Sequence, residues 1–198
     1  MKKIVLVFLA LVGLMFAADN VMYPTTVKSL YQKGSDKVVG RLLPTSAVKM
    51  IKQEGKKDLI QIEGYSQEGV DNAIYYAINR RILVAGLAKS ANIQVKKVKE
   101  INDKESGKKW YKVEVQLYTD SGNFSKDVQS LYSKAKALYG ENCSICHGLH
   151  ATKEFNANQW PGVVDSMFPR TGIPKEDKYL LVQYLQKNAS DMPGTNTK

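Results

Sequence analysis

The chain has 198 residues with a formal net charge of +10, and 43% of its residues are hydrophobic and 24% charged. These are ordinary globular fractions, so wholesale disorder is excluded, and at roughly 100–150 residues per domain the length accommodates one or two domains. Two cysteines and two histidines exclude a disulfide-stapled scaffold, a four-cysteine zinc or iron–sulfur site and a multi-histidine metal centre.

Met1-Lys2-Lys3 is a short cationic start, followed by an apolar run from Ile4 to Ala18 that Asp19-Asn20 ends. A charged start, a hydrophobic stretch and small residues at its end predict an export signal over residues 1–18, and hence a periplasmic protein. The run falls short of the roughly 18–20 residues of a spanning helix, so no stable membrane span is expected once the signal is cleaved. Retention as a short N-terminal anchor is the competing reading. Cleavage near Ala18 or Asp19 leaves 27 basic against 19 acidic groups, a net +8.

Residues 19–122 predict a β domain. Short β-branched and aromatic runs alternate with Gly, Asn, Asp and Pro: Val38–Leu43, Ala47–Lys52, Leu59–Tyr65, Ile74–Ala77, Ile82–Leu87, Ile93–Lys99 and Trp110–Tyr118. In the third run Ile60 and Ile62 face one way and Gln61 and Glu63 the other. In the last, Tyr111, Val113, Val115 and Leu117 oppose Lys112, Glu114 and Gln116. Several short strands at this spacing predict a small sandwich or barrel. The segments Val39–Pro44, Ile60–Tyr65, Arg81–Leu87 and the Trp110 strand also resemble bacterial SH3-like domains. Residues 19–126 carry 19 basic and 12 acidic groups against 8 and 7 in residues 127–198. Such a basic face steers acidic partners or is a solvated lysine-rich surface. Export removes the chain from nucleic acid, so none is expected as a partner.

Residues 123–198 carry the chemistry. Cys143-Ser144-Ile145-Cys146-His147 is C-x-x-C-H, the attachment signature for c-type haem. Two thiols at this spacing form thioethers with the two vinyl groups of one haem, and the adjacent imidazole of His147 is placed under the iron. A chance match, a thioredoxin-like pair and a simple Cys143–Cys146 disulfide compete with this reading. The export signal, the placement of both cysteines in the motif and its completion by a histidine favour one covalently bound haem c.

Upstream, Val128, Leu131, Tyr132, Ala135, Leu138 and Tyr139 have helical spacing over about Asp127–Tyr139, with Ser125 or Asn123 as cap and Gly140 as stop. Downstream, Tyr179, Leu180, Val182, Tyr184 and Leu185 predict a helix over Lys175–Asn188. Candidate sixth ligands are Met167, Met192 and His150. Met167 precedes Phe168-Pro169 and the last helix, but with Trp160, Val163 and Val164 it also has core-helix spacing. Met192 follows the last helix. His150 lies three residues past His147, on the proximal side. A methionine sulfur raises the haem potential and a second histidine lowers it. Trp160 is either a shield at a haem edge or a plain hydrophobic anchor.

A helix before C-x-x-C-H, and a methionine and proline before an aromatic last helix, resemble small class I cytochromes c. The expected fold is therefore α+β in two parts: a small all-β SH3-like barrel, then a mostly helical class I-like cytochrome c domain. The stretch Ala137–His150, followed by Phe155–Met167, is similar to the C-terminal haem domain of pentahaem membrane cytochromes that feed periplasmic trimethylamine-N-oxide and dimethyl-sulfoxide reductases. That resemblance implies a monohaem carrier of single electrons, not an enzyme. Cys143, Cys146 and His147 carry over from it, with Met167 as distal ligand and Met192 as the alternative. The implied acceptor is a periplasmic molybdenum N-/S-oxide reductase. The pentahaem proteins have four further C-x-x-C-H motifs, and this sequence shows one, so a separate quinol-oxidising donor is expected upstream. A haem-based sensor or gas-binding module and a permanently docked haem subunit of an enzyme are the rival readings.

Overall fold

The computed structural model describes residues 20–145 and 147–193; the expected leader and Cys146 lie outside the described residues. Ten strands come first: β1 (Val21–Pro24), β2 (Lys28–Tyr31), β3 (Val38–Leu42), β4 (Val48–Glu54), β5 (Lys57–Gln67), β6 (Ala73–Ala77), β7 (Arg80–Leu87), β8 (Lys96–Asn102), β9 (Lys109–Asp120) and β10 (Phe124–Ser125). Helices α1 (Val128–Cys143), α2 (Trp160–Met167) and α3 (Lys178–Lys187) follow.

All the strand pairings are antiparallel, in the order β10-β1-β4-β5-β6-β7-β3-β2-β9-β8. A further pairing of β5 with β9, from Lys57–Asp120 to Gln67–Trp110, closes β5-β6-β7-β3-β2-β9 into a ring. The alternation read from the sequence sets its faces. Ile60, Ile62, Val113, Val115 and Leu117 are buried with Leu30, Leu42 and Ile74 in one core, while Lys112 and Gln116 face out.

The expectation of a mostly helical class I-like cytochrome c domain behind a small SH3-like barrel is overturned. Among the described residues, ten antiparallel strands outweigh three short helices, so the structure is mostly β. Two causes act together. The strand body is larger than the apolar runs foretold, because β1, β2 and β10 are short and add three strands with little alternation of their own. The helices are curtailed: Pro161 lies at the start of α2, and Pro169, Gly172 and Pro174 fill the link to α3 and exclude a continuous helix there.

Local details also differ. The α1 cap is Asp127, whose carboxylate accepts from the N–H of Gln129 at 2.8 Å and of Ser130 at 3.1 Å. Ser125 instead accepts from the Asp127 N–H at 3.0 Å, and Asn123 takes a left-handed turn at φ 55°. Gly140 does not stop α1, which continues to Cys143. Its φ is ordinary for a helix, so nothing there demands a glycine.

The helices pack on one another and on the edge of β7. Ile82 of β7 is fully buried in the same core as Trp160, Leu181, Leu185 and Ala189. Burial of such a side chain contributes roughly 1.5–3 kcal/mol. Lys187 of α3 is buried against the strand body, where its ammonium donates to the Thr45 carbonyl and hydroxyl, both at 2.9 Å, and sits 4.7 Å from the centre of the Tyr76 ring. Among the described residues no carboxylate pairs with it, and burial pulls its pKa down from 10.5 to about 7. Thr45 has a φ of 60°, a backbone state that a β-branched residue holds only when its surroundings impose it.

Two outcomes are expected. Gly140→Ala, whose new methyl meets nothing within 4 Å, raises stability by roughly 0.5–1 kcal/mol. Gly64→Ala, whose methyl would stand 2.6 Å from both Ile74 Cγ2 and the Tyr75 carbonyl, lowers it by roughly 1–3 kcal/mol. Denaturant unfolding of the two variants measures both. Because the unfolded chain protonates Lys187 more readily than the folded one, stability contributed at this site rises between pH about 7 and 10.5. Lys187→Met flattens that rise in melts taken across the window.

Candidate functional site

α1 ends at Cys143, and its face Tyr139, Asn142 and Cys143 forms one wall of a cleft. The chain then turns through the C-x-x-C-H segment, so that His147 and His150 line the same space. α2 supplies Trp160, Val163, Val164 and Met167, and the link to α3 supplies Phe168, Arg170, Thr171 and Ile173. Leu181 of α3 closes the floor. The cleft is partly open to solvent, with a cavity volume of about 140 Å³.

Each residue singled out from the sequence has a definite place. Cys143 is half-buried, and burial pushes its thiol pKa up. Cys146 lies outside the described residues. His147 is exposed, with Nδ1 2.7 Å from the Gly148 carbonyl. A carbonyl only accepts, so this bond puts the proton on Nδ1 and leaves the Nε2 lone pair free, the arrangement metal-bound imidazoles use. His150 stacks beside it, ring centres 5.2 Å apart, with Nδ1 2.8 Å from Glu154 Oε1. Met167 is the last residue of α2 and lines the cleft. Met192 is buried in the helical core with Leu185 and Ala189 rather than on the cleft wall.

The aromatic residues serve as both wall and anchor. Trp160 is fully buried, lines the cleft, and donates from Nε1 to the Thr152 carbonyl at 3.1 Å. Phe155 and Tyr139 meet it edge to face at 5.0 and 6.1 Å. Tyr139 donates to the His150 carbonyl at 2.9 Å, which ties the loop after the motif back to α1, and burial raises its hydroxyl pKa to about 12. Tyr132 is not part of the cleft: it packs on Tyr184 at 6.0 Å, and burial raises its pKa strongly.

Asn142, Arg170, Thr171 and Ile173 were not foreseen. Asn142 had a legible signal, since it lies one helical turn from Tyr139. The other three come from an irregular link that only the tertiary fold brings to the cleft. Asn142, Arg170 and Thr171 make a polar end to a wall that is otherwise mostly apolar, and Arg170 is its one guanidinium. A thiol, an imidazole with its outer nitrogen free to ligate, a thioether and edge-to-face aromatic rings around one apolar cleft fit a covalently attached haem. Among the described residues no group of three or more His, Cys, Asp and Glu is placed to hold a bare metal ion.

A sequence model of the TorC third cytochrome c domain matches residues 16–124, which hold β1 to β9, reach the first residue of β10 and end before the C-x-x-C-H segment. Cytochrome c-type protein TorC of Escherichia coli (strain K12) is 30% identical over 179 residues, which is 89% of this chain and 46% of that protein. Cytochrome c-type protein TorY of Haemophilus influenzae is 30% identical over 166 residues, 84% of this chain and 44% of that protein. The chain thus spans less than half the length of these curated relatives. An alignment over 89% of the chain necessarily takes in both the strands and residues 143–147. No solved structure matches the chain. The domain match covers more than half of the chain, and the relatives' similarity runs through the haem-attachment segment. The chain therefore belongs to the TorC third cytochrome c domain family, a Tor-type cytochrome c in which a covalently bound haem c is implied.

Proposed function

We propose that this protein is a periplasmic monohaem electron carrier that delivers single electrons to a molybdenum N-/S-oxide reductase. The observation that carries the reading is the meeting of Cys143, His147 and Met167 around one cleft with an apolar, aromatic wall. When bound, haem c supplies the one-electron Fe(III)/Fe(II) couple.

The residues divide the work. Cys143 and Cys146 hold the group covalently. His147 ligates through Nε2 while its Nδ1–H is kept by the Gly148 carbonyl. Met167 supplies a sulfur from the other wall, which favours the reduced state and sets the potential high. Tyr139, Trp160, Val164 and Leu181 exclude water from the site. The resemblance to the cytochromes of trimethylamine-N-oxide and dimethyl-sulfoxide respiration supports the acceptor, and a quinol-oxidising complex is the donor. Export by the N-terminal segment supports the compartment. Among the described residues no helix is long and apolar enough to cross a membrane.

Visible spectra of the protein matured in a c-type host test the site. Wild type is expected to show covalent haem with a weak long-wavelength sulfur-to-iron band. Met167→Ala removes that band and lowers the midpoint potential, whereas Met192→Ala leaves the band in place. A band that survives in Met167→Ala and disappears in Met192→Ala overturns the ligand assignment. Carbon monoxide binding to undenatured wild type would instead point to a sensor. The acceptor is tested by stopped-flow: the reduced protein is reoxidised when mixed with trimethylamine-N-oxide reductase and its substrate, and the rate falls with added salt, as for a small transient interface. A salt-resistant complex of fixed stoichiometry would make the protein an enzyme subunit rather than a shuttle.

A further inference from the structure

The hairpin of β6 and β7 turns at Asn79, φ 59°, and its tip runs into the helical segment. Arg80 there is doubly engaged. Its Nε lies 2.7 Å from Asp191 Oδ2, and its Nε and Nη2 donate to the Asp191 backbone carbonyl at 3.3 and 3.2 Å. The other carboxylate oxygen, Asp191 Oδ1, accepts from the Ala157 N–H at 2.7 Å. One carboxylate thus links the hairpin to the segment that leads into α2.

The neighbouring contacts repeat the link. Asn158 donates to the Asn79 carbonyl at 3.1 Å and accepts from the Arg81 N–H at 2.6 Å. Gln186 of α3 donates from Nε2 to the Arg81 carbonyl at 3.3 Å and the Ala157 carbonyl at 2.9 Å. Ile82 fills the core beneath Trp160. Arg80 reaches Ala157 through Asp191, while Asn158 and Gln186 join the hairpin to residues 157–158 directly, next to the start of α2.

We propose that the β6–β7 hairpin, which does not itself line the cleft, buttresses α2 from behind, and that Arg80 is a positioning residue for the sulfur ligand. The inference rests on the reading of Met167 as that ligand. α2 is a short rod, about 12 Å over its eight residues. Its base is fixed by the hairpin and its far end carries Met167. The imidazole ligand and the two thioethers are on a different arm, at the end of α1. A sulfur ligand on α2 and an imidazole ligand after α1 would be held on these two separate arms, so a shift of the hairpin would alter how Met167 meets a bound haem. This gives the strand body a role in the redox chemistry of a haem attached elsewhere in the chain.

The test uses the full-length protein matured with haem and three variants, Arg80→Gln, Arg80→Lys and Asn158→Ala. Covalent haem content, the sulfur-to-iron band and the midpoint potential are measured for each. Arg80→Gln is expected to keep full covalent haem, weaken the band and shift the potential to more negative values. Arg80→Lys, which retains a cation opposite Asp191, recovers most of the band. Asn158→Ala, at an exposed position, moves band and potential in the same direction as Arg80→Gln and carries the test if that variant does not accumulate. An unchanged band and potential in Arg80→Gln and Asn158→Ala, alongside a band that Met167→Ala abolishes, overturns the positioning role and leaves the ligand reading intact. A wild-type band that persists in Met167→Ala overturns the ligand reading, and this inference with it.

Discussion

Antiparallel pairing of β5 with β9 is the constraint on which the rest of the molecule depends. The two strands run together from Lys57–Asp120 to Gln67–Trp110. Each is longer than its other neighbours and shares its outer edge between two of them: β5 between β4 and β6, β9 between β8 and β2. Such strands must twist strongly to leave one sheet and enter the next, and that twist is the native hand of an antiparallel ladder. Closure of the ring removes two open edges. It also fixes the β6–β7 hairpin at one end of the body, where Asn79, Arg80 and Ile82 meet the helices. Gly64, where β5 turns from β4 toward β6, has no room for a side chain beside Tyr75, so the crossing itself demands a glycine.

Much of the strand body was legible because period-two alternation is a direct image of a two-faced strand. Val113, Val115 and Leu117 are buried and Lys112, Glu114 and Gln116 are not. β1, β2 and β10 were not legible: their few residues are held by pairing with distant partners such as Lys49, Thr119 and Phe124, and such pairing leaves no local pattern. Ile93–Val95 reads as the start of a strand by composition, yet β8 begins only at Lys96, because the chain is still leaving the turn at Asn92. At Gly140 the general preference of glycine for helix ends gave way to packing. Tyr139 and Cys143 on either side of it both face the cleft, and that face continues through the glycine. The expectation of a mostly helical haem domain failed for a related reason. The helical spacings were present, but the resemblance to class I cytochromes c carried a proportion of helix that a strand body of this size does not allow.

The site divides along the same line. Cys143 and His147 could be named because their chemistry requires adjacency in the chain. The sequence favours Met167 over Met192, because Met167 precedes a proline and the last helix while Met192 follows that helix. Their burial separates them: one lines the cleft and the other fills the core. The polar end of the cleft at Asn142, Arg170 and Thr171 depends on how α1 meets the link before α3, a contact without a local code.

A helical segment of this size is a poor fold on its own. Chains below roughly 70–80 residues rarely bury enough apolar surface to be stable without a staple. Three helices of 16, 8 and 10 residues leave α2 and α3 shorter than an isolated helix sustains in water. Two devices compensate. A covalently attached haem, as the family implies, would give the segment an apolar nucleus that cannot dissociate, and the strand body contributes Ile82, Arg80 and backbone carbonyls of β7 as a support. The polar side chains that engage that backbone, Gln183 to the Leu83 carbonyl at 2.9 Å and Gln186 to the Arg81 carbonyl at 3.3 Å, are nearly as buried as the core itself. Buried amides of this kind are tolerated only when their partners stay in register. The strand body and the helical segment are thereby coupled: a change that displaces the hairpin leaves buried amides without partners and moves the base of α2 at the same time. Contacts that stabilise the fold thus also hold the base of α2, whose far end lines the cleft.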